Sequence, residues 1–283
     1  EIVDSDENYM CCFLTKSKQS INSSFLFNCS NCQDCFMSLN LRNKQYVFRN
    51  KQYTKEEYER IHENAKFYKT TQLVTEYVDD WIARHSKGKV FLDYACGDGL
   101  NAVKAAKAGA ELTIGLDISD VSIESARSIA RKEGVSGSTY FIQGDCENTG
   151  LPNECIDLAI CSGMLHHLDL SYAFPELRRI MKKGGVILAV EALDCNPAIK
   201  AYRIVTPHLR TDWEKRHILS YKEIAFAKRF FEVKEIKHWH LFSIAGAYMP
   251  SALPLLNALD RFFLTLPLIK MMSWMFTFEL HKK

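Results

Sequence analysis

The sequence predicts an α/β fold: a seven-stranded, mostly parallel sheet with helices on both faces, preceded by a small cysteine-rich β appendage. Three observations carry this. From Lys89 onward, short β-rich runs alternate with helix-like stretches, and such alternation demands parallel strands joined by crossovers that cover both faces. The first of those strands ends in an acidic residue and a glycine turn that opens a helix, in VFLDYACGDGLNA from Val90 to Ala102. The first fifty or so residues differ in kind, with aromatic or cysteine-rich triplets separated by Asn, Ser, Gln and Lys.

A chain of 283 residues accommodates one large α/β domain and an appendage, and 47% apolar residues suffice for a sizeable core. Lys and Arg total 36 against 34 acidic residues. That balance leaves no electrostatic footprint for nucleic acid and favours a small-molecule partner. Cys96, Cys146, Cys155, Cys161 and Cys195 are scattered through the α/β part, as reduced thiols are in a cytoplasmic protein. The start at Glu1 shows no charged-then-apolar leader pattern, and no run of about 18 uncharged apolar residues suggests a membrane span.

Residues 1–53 form the expected appendage. Cys11-Cys12-Phe13, Phe25-Leu26-Phe27, Cys35-Phe36-Met37 and Tyr46-Val47-Phe48 recur at roughly 11 to 12 residues, and RNKQY occurs from Arg42 and again from Arg49. Short strands in a truncated β-solenoid or a small β-meander fit this spacing. Cys29, Cys32 and Cys35, with Cys11-Cys12 upstream, could supply a zinc site. A single cluster lacks the usual second Cys pair, however, and stacked inward thiols account for it without metal. No metal is expected.

The second unit is expected to run from 54 to 283. Thr54 with Glu57 forms a capping box for a long helix reaching Ser86, its apolar stripe running from Tyr58 to Ile82. Strands follow at Val90–Tyr94, Leu112–Leu116, Thr139–Ile142, Ile156–Cys161 and Val186–Val190. Helices are expected at Leu100–Ala108, Ser122–Glu133 and Tyr172–Met181, the last stopped by Gly184-Gly185. After a polar and helical stretch, β-like runs at Phe231–Phe242 and Met275–Leu280 bracket an apolar helical segment from Ala245 to Lys270.

The chemistry concentrates at strand ends. Gly97 and Gly99 let backbone approach a ligand, and the helix start beyond them offers free amides. Asp117 ends the second strand in TIGLDIS, and its two acceptor oxygens suit both hydroxyls of a ribose. A nicotinamide-binding protein reads the same way to this point. The end of the third strand, FIQGDCENTGLP, discriminates: Asp145 can accept from an adenine amino group, and Cys146 can offer a backbone amide to the ring.

With four elements in order, LDYACGDG, GLDIS, GDCENTGLPNECIDLAICSGMLHHL and LRRIMKKGGVILAVEA, the chain resembles the class I S-adenosylmethionine-dependent methyltransferase family, in its ubiquinone-biosynthesis-like branch. The resemblance implies a Rossmann-like sheet with S-adenosyl-L-methionine as cofactor. It implies that Asp93, Gly97 and Gly99 hold the methionine end, Asp117 the ribose, Asp145 and Cys146 the adenine, and that Ile118 lies on the adenine face. Tyr68, Ala95 and Ser162 complete the implied cofactor contacts. Tyr94, Ala95 and Cys96 stand where smaller residues are commoner, and the bulky Tyr94 is expected to face the sheet packing.

A sulfonium is an intrinsically good methyl donor, so a protein mainly aligns the acceptor and excludes water. Where the acceptor must lose a proton, a base helps. The candidates are His166 and His167 in SGMLHHL, one facing substrate while its neighbour packs inward; a structural role for both, with His167 on backbone, is the alternative. Glu191 is a further candidate at the pocket rim, with a solvated or salt-bridged role as its alternative. Ligands of open parallel sheets bind at the strands' carboxyl ends, so the helical segments 191–220 and 243–273 are expected to shape the acceptor pocket. Arg203, His208 and Arg210 suit an anionic acceptor, or Arg210 pairs with Asp212 or Glu214. The Leu- and Phe-rich run across 245–270 is expected to be a lid, with peripheral membrane or homodimer contact as the other options. The function this predicts is methyl transfer to O or N of a small, apolar or lipid-like acceptor; the alternative is an inactive cofactor-binding module serving as a partner-binding subunit.

Overall fold

The computed structural model describes residues 2–3, 12–15, 17, 19–20, 23–27, 29–39, 42–48, 51–55, 67, 69–205 and 217–283. The chain divides into two compact units, residues 1–69 and 70–283.

In the first unit β1 (Ile2–Val3), β2 (Cys12–Thr15), β3 (Ser24–Phe27), β4 (Gln33–Leu39) and β5 (Gln45–Phe48) pair in parallel, and β6 (Lys51–Gln52) returns antiparallel to β5. Leu14 lies opposite Leu26 and Leu26 opposite Ser38, a constant offset of 12 residues. That is solenoid pairing; a meander would alternate strand direction. The offset recurs in detail. Asn31 donates from its side chain to Asn43, Gln45 to Gln33, and Gln19, Asn31 and Asn43 all adopt positive φ. Cys29, Cys32 and Cys35 are buried together with Val47, so the thiols line the interior of the stack.

The second unit begins with α1 (Gln72–His85). The continuous helix expected from Thr54 to Ser86 is not formed, because a turn at Lys69 and Thr70 interrupts it. The Thr54–Glu57 capping box lies outside the described residues. Strands β7 (Val90–Tyr94), β8 (Leu112–Asp117), β9 (Thr139–Gln143), β10 (Ile156–Ser162) and β11 (Met181–Ala192) are parallel. Between them run α2 (Leu100–Lys107), α3 (Asp120–Lys132) and α4 (Leu170–Ile180). Then come α5 (Pro197–Val205), α6 (Tyr221–Ala227), β12 (Glu232–Trp239), α7 (Leu253–Phe263) and β13 (Met275–His281). The sheet order is β12-β13-β11-β10-β7-β8-β9, with β13 antiparallel to both neighbours.

Strand alternation sends Phe91 to one face and Leu92 with Tyr94 to the other. Val78, Trp81 and Ile82 of α1 pack with Phe91, Leu158 and Leu188, while Phe174 and Leu177 of α4 pack with Leu92, Leu116 and Ile187. Trp81 is 1% exposed, and its indole N–H donates to Glu279 at 2.8 Å, so burial leaves no unpaired donor. Side-chain caps set the helix starts: Ser119 for α3, Asp169 for α4 and a Ser220–Glu223 capping box for α6.

Two further expectations are corrected. The helix α4 stops at Ile180, not at Gly184-Gly185, because Met181 is already extended (ψ 140). The glycine pair instead lies in β11, where its backbone pairs with Lys282. The apolar stretch 245–270 is not one helix. Pro250 starts a short 3-10 turn, Pro254 sits in the first turn of α7, and α7 ends before Pro267, as a ring without an N–H dictates. Among the described residues no helix is long and apolar enough to cross a membrane.

Candidate active site

The chain winds from β7 outward through β8 to β9, then returns to place β10 on the other side of β7. This reversal opens a crevice at the carboxyl ends of β7 and β10, the usual ligand position in such sheets. Asp93 and Tyr94 end β7 and Ser162 ends β10, so the predicted motif lies where the topology opens.

The glycine turn is held by Asp117. Gly97 N–H donates to Asp117 Oδ2 at 2.8 Å, Ser119 N–H donates to Oδ1 at 2.9 Å, and Cys96 N–H donates to Leu116 O at 2.8 Å. Each carboxylate oxygen therefore keeps acceptor capacity for a further donor. Gly97 (φ 53) has nothing within 4 Å of an added Cβ. Gly99 (φ 74) serves packing as well, since a Cβ there would lie 2.5 Å from the Phe141 ring. Ala95 also has positive φ, 56, without being glycine. Ala95→Gly is expected to stabilise the domain by up to about 1 kcal/mol, the left-handed strain less the entropy glycine loses on folding. Denaturant unfolding with an unchanged m-value checks this.

Asp93 is 2% exposed and accepts from Ala102 N–H at 3.1 Å and more weakly from Asn101 Nδ2 at 3.5 Å. Burial, and secondarily the nearby Asp98 and Asp117, push its carboxyl up to about 7. Asp117 and Asp145 likewise add to the burial that raises the Cys146 thiol to about 12. Asp117 thus lies near both Asp93 and Cys146; Asp93 and Asp117 lie at the ends of the adjacent strands β7 and β8, and Asp145 lies in the loop after β9. Asp145 is exposed and accepts from Glu147 N–H at 2.8 Å. Ile118, beside Asp117, is 74% exposed. Ser162 is exposed, and Tyr68 lies outside the described residues. Tyr94 is fully buried, and its hydroxyl donates to Cys146 O, so it packs away from solvent and ties β7 to the loop after β9. Carboxyl groups at the strand ends, an exposed apolar side chain and a backbone turn suit a ligand with cationic groups, hydroxyls and a flat ring. The residues present fit S-adenosyl-L-methionine.

At the other side of the crevice, Glu191 does not sit at a solvated rim. It is fully buried, with Oε1 accepting from Met164 N–H at 2.9 Å and Leu165 N–H at 2.7 Å, while Oε2 lies 2.8 Å from His166 Nδ1. His166 is the inward member of the pair and His167 the exposed one, their rings 4.1 Å apart. The sequence signal for Glu191 is a lone charge in the run VILAVEAL, where an unpartnered carboxylate would be costly. Of the acceptor-side cations, His208 and Arg210 lie outside the described residues, as does the side chain of Arg203.

Residues 92–189 match the model of a family described as "Methyltransferase domain". The chain carries a class I S-adenosylmethionine-dependent methyltransferase domain. It is 31% identical over 116 residues to the ribosomal protein L11 methyltransferase of Photobacterium profundum, covering 41% of this chain and 37% of that protein. It is 32% identical over 130 residues to sterol 24-C-methyltransferase ERG6B of Gibberella zeae, covering 42% of this chain and 34% of that one. In both cases the chain spans less than half of the relative. Two solved structures share the methyltransferase fold. They are the YcgJ protein of a Bacillus (TM-score 0.52, 18% identity, 74% of this chain and 99% of that chain) and geranyl diphosphate C-methyltransferase of Streptomyces coelicolor A3(2) (TM-score 0.54, 15% identity, 75% and 80%). The family match covers residues 92–189, and the ubiquinone-biosynthesis-like branch stays an expectation.

Proposed function

We propose that the chain transfers a methyl group from S-adenosyl-L-methionine to an oxygen or nitrogen of a small, apolar or lipid-like acceptor. The observation that carries this reading is the His166–Glu191 pair beside the crevice. With Nδ1–H donated to the buried carboxylate, Nε2 carries the lone pair and is the basic nitrogen. The cofactor, when bound, supplies an electrophilic methyl group. Asp93 and Gly97 are proposed to hold its methionine end, Asp117 its ribose, and Asp145 with Cys146 its adenine. Glu191 fixes the imidazole, and His166 takes the acceptor proton at Nε2 as the acceptor attacks.

The segment after β12 supports an apolar acceptor. From Leu241 to Phe278 its only charged residues are Asp260, Arg261 and Lys270, and Leu255, Phe262 and Leu268 are 64%, 65% and 82% exposed. Such a surface suits a lid that closes on an apolar molecule, and suits contact with a membrane surface or a second copy.

Release of S-adenosylhomocysteine across a panel of hydroxyl- and amine-bearing acceptors tests the reading. His166→Ala is expected to lower turnover at saturating cofactor by about 100-fold or more, and His167→Ala by far less. Equal turnover in His166→Ala and wild type, with the fold intact, would remove the base. Cofactor binding without product from any acceptor would favour the inactive module.

A further inference from the structure

A cavity of about 380 Å³ opens at the outer edge of the sheet, where β12 ends and the segment after it folds back. Lys237, His238, Asp260, Arg261, Thr265 and Lys270 line it together with apolar side chains. Three cations thus face one carboxylate. That carboxylate is already committed: Asp260 is fully buried and accepts from the backbone N–H groups of Leu241 (3.1 Å), Phe242 (2.6 Å) and Ser243 (3.1 Å). It anchors a turn and leaves little to offer the cations.

The cations have weak partners or none. Lys237 lies 3.4 Å from Glu235 with its ammonium 4.4 Å from the centre of the Tyr77 ring, and Arg261 lies 3.6 Å from Glu76, ion pairs of small energetic worth at such solvent-reached positions. Among the described residues Lys270 makes no ion pair, although it is partly buried. An ammonium group held in a concave, partly apolar site gains most from an arriving anion, since its own hydration is already reduced. His238 adds no charge near neutrality. Burial, together with Lys270, pushes its imidazole down to about 4, and its Nε2 lies 2.6 Å from the Tyr221 hydroxyl. Apart from the buried Asp260, no acid occurs from Leu241 to Phe278 to repel an anion.

Strand register places His238, one of the residues lining the cavity, relative to Glu191. Glu191 lies opposite Phe276, and Phe276 opposite His238, so the three form one row across β11, β13 and β12. Two strand spacings separate Glu191 from His238, on the order of 10 Å. We propose that this cavity binds the phosphate or diphosphate group of the methyl acceptor, anchoring its anionic end on Lys270 and Lys237. The location of the reacting end rests on the methyl-transfer reading; the anion site rests on the cavity alone.

Calorimetric titration of the full chain, saturated with S-adenosylhomocysteine, uses inorganic pyrophosphate, decyl phosphate and decanol as probes. Pyrophosphate and decyl phosphate are expected to bind and decanol to bind at least tenfold more weakly. Lys270→Gln and Lys237→Gln should each weaken the phosphates about tenfold or more, Lys270→Arg should restore most of it, and unfolding curves should match wild type. Sedimentation with phosphatidylglycerol and phosphatidylcholine vesicles identifies the source. Binding to the first alone, lost in Lys270→Gln, supports the site with a lipid headgroup as its phosphate. No binding of either phosphate or of anionic vesicles overturns the proposal, as does phosphate binding that both substitutions leave unchanged. Failure to bind S-adenosylhomocysteine would instead overturn the methyl-transfer reading, so the two failures are separable.

Discussion

Glu191→Gln is expected to lower methyl transfer by about 100- to 10,000-fold, a loss on the scale of removing a general base. The argument is one of tautomers. On the proposed reading Oε2 accepts the Nδ1 proton of His166, and Nε2 carries the lone pair that takes the acceptor's proton. An amide can keep one acceptor oxygen on Met164 and Leu165 N–H while turning its NH2 group toward Nδ1. Nδ1 must then accept, the proton moves to Nε2, and the basic nitrogen is lost without loss of shape. Glu191→Ala removes the acceptor altogether and strands two buried backbone amides, which costs about 1–3 kcal/mol for each. The pair of substitutions therefore separates chemistry from stability: the first is read in turnover at saturating substrates, the second in denaturant midpoint as well. Combining Glu191→Gln with His166→Ala should add little to the loss from His166→Ala alone, because the two residues act as one unit. Wild-type turnover in Glu191→Gln would sink the base assignment.

What the sequence made legible follows from where local rules dominate. Strands β7 to β10 fall within a residue or so of their expected bounds, because alternating apolar runs bounded by turns are a local signal. Asp93, Asp117 and Asp145 were legible as strand-end carboxylates because the motifs fix their order and spacing. Glu191 was legible as a lone acid, but its direction was not. Its full burial depends on which backbone amides of the loop after β10 reach it, which is a tertiary fact. Tyr94 is the converse: its size argued for the sheet side, and its hydroxyl bond to Cys146 O appears only once two loops meet. The break at Lys69 and Thr70 has no Gly or Pro to announce it, so helical periodicity ran through it. The breaks in 245–270 were signalled by Pro250 and Pro267, which the expected helical segment passed over.

Cofactor binding is expected to expel a proton from Asp93 at mildly acidic pH. In the chain without ligand, burial holds this carboxyl near 7 against about 3.8 in the unfolded chain. The folded state therefore binds the extra proton between those values, and its stabilising effect, complete below about 3.8, is lost as pH rises through 7. The full linkage amounts to about 4 kcal/mol. Asp93→Asn should accordingly remove a decline in stability that the wild-type chain shows across that window, read from the denaturant midpoints of the two proteins at about pH 4 and about pH 8. The cofactor reverses the balance, because its sulfonium and ammonium charges favour the ionised carboxylate they approach. Below about pH 7 each bound cofactor must first drive off the proton, so apparent affinity for S-adenosyl-L-methionine should weaken about tenfold for each pH unit and level off above about pH 8. Calorimetry at about pH 6 in two buffers of different ionisation enthalpy counts the proton directly. Asp93→Asn should show neither the slope nor the buffer dependence, whereas identical heats in both buffers for the wild-type chain would show that Asp93 is not the group that meets the cofactor's positive charge.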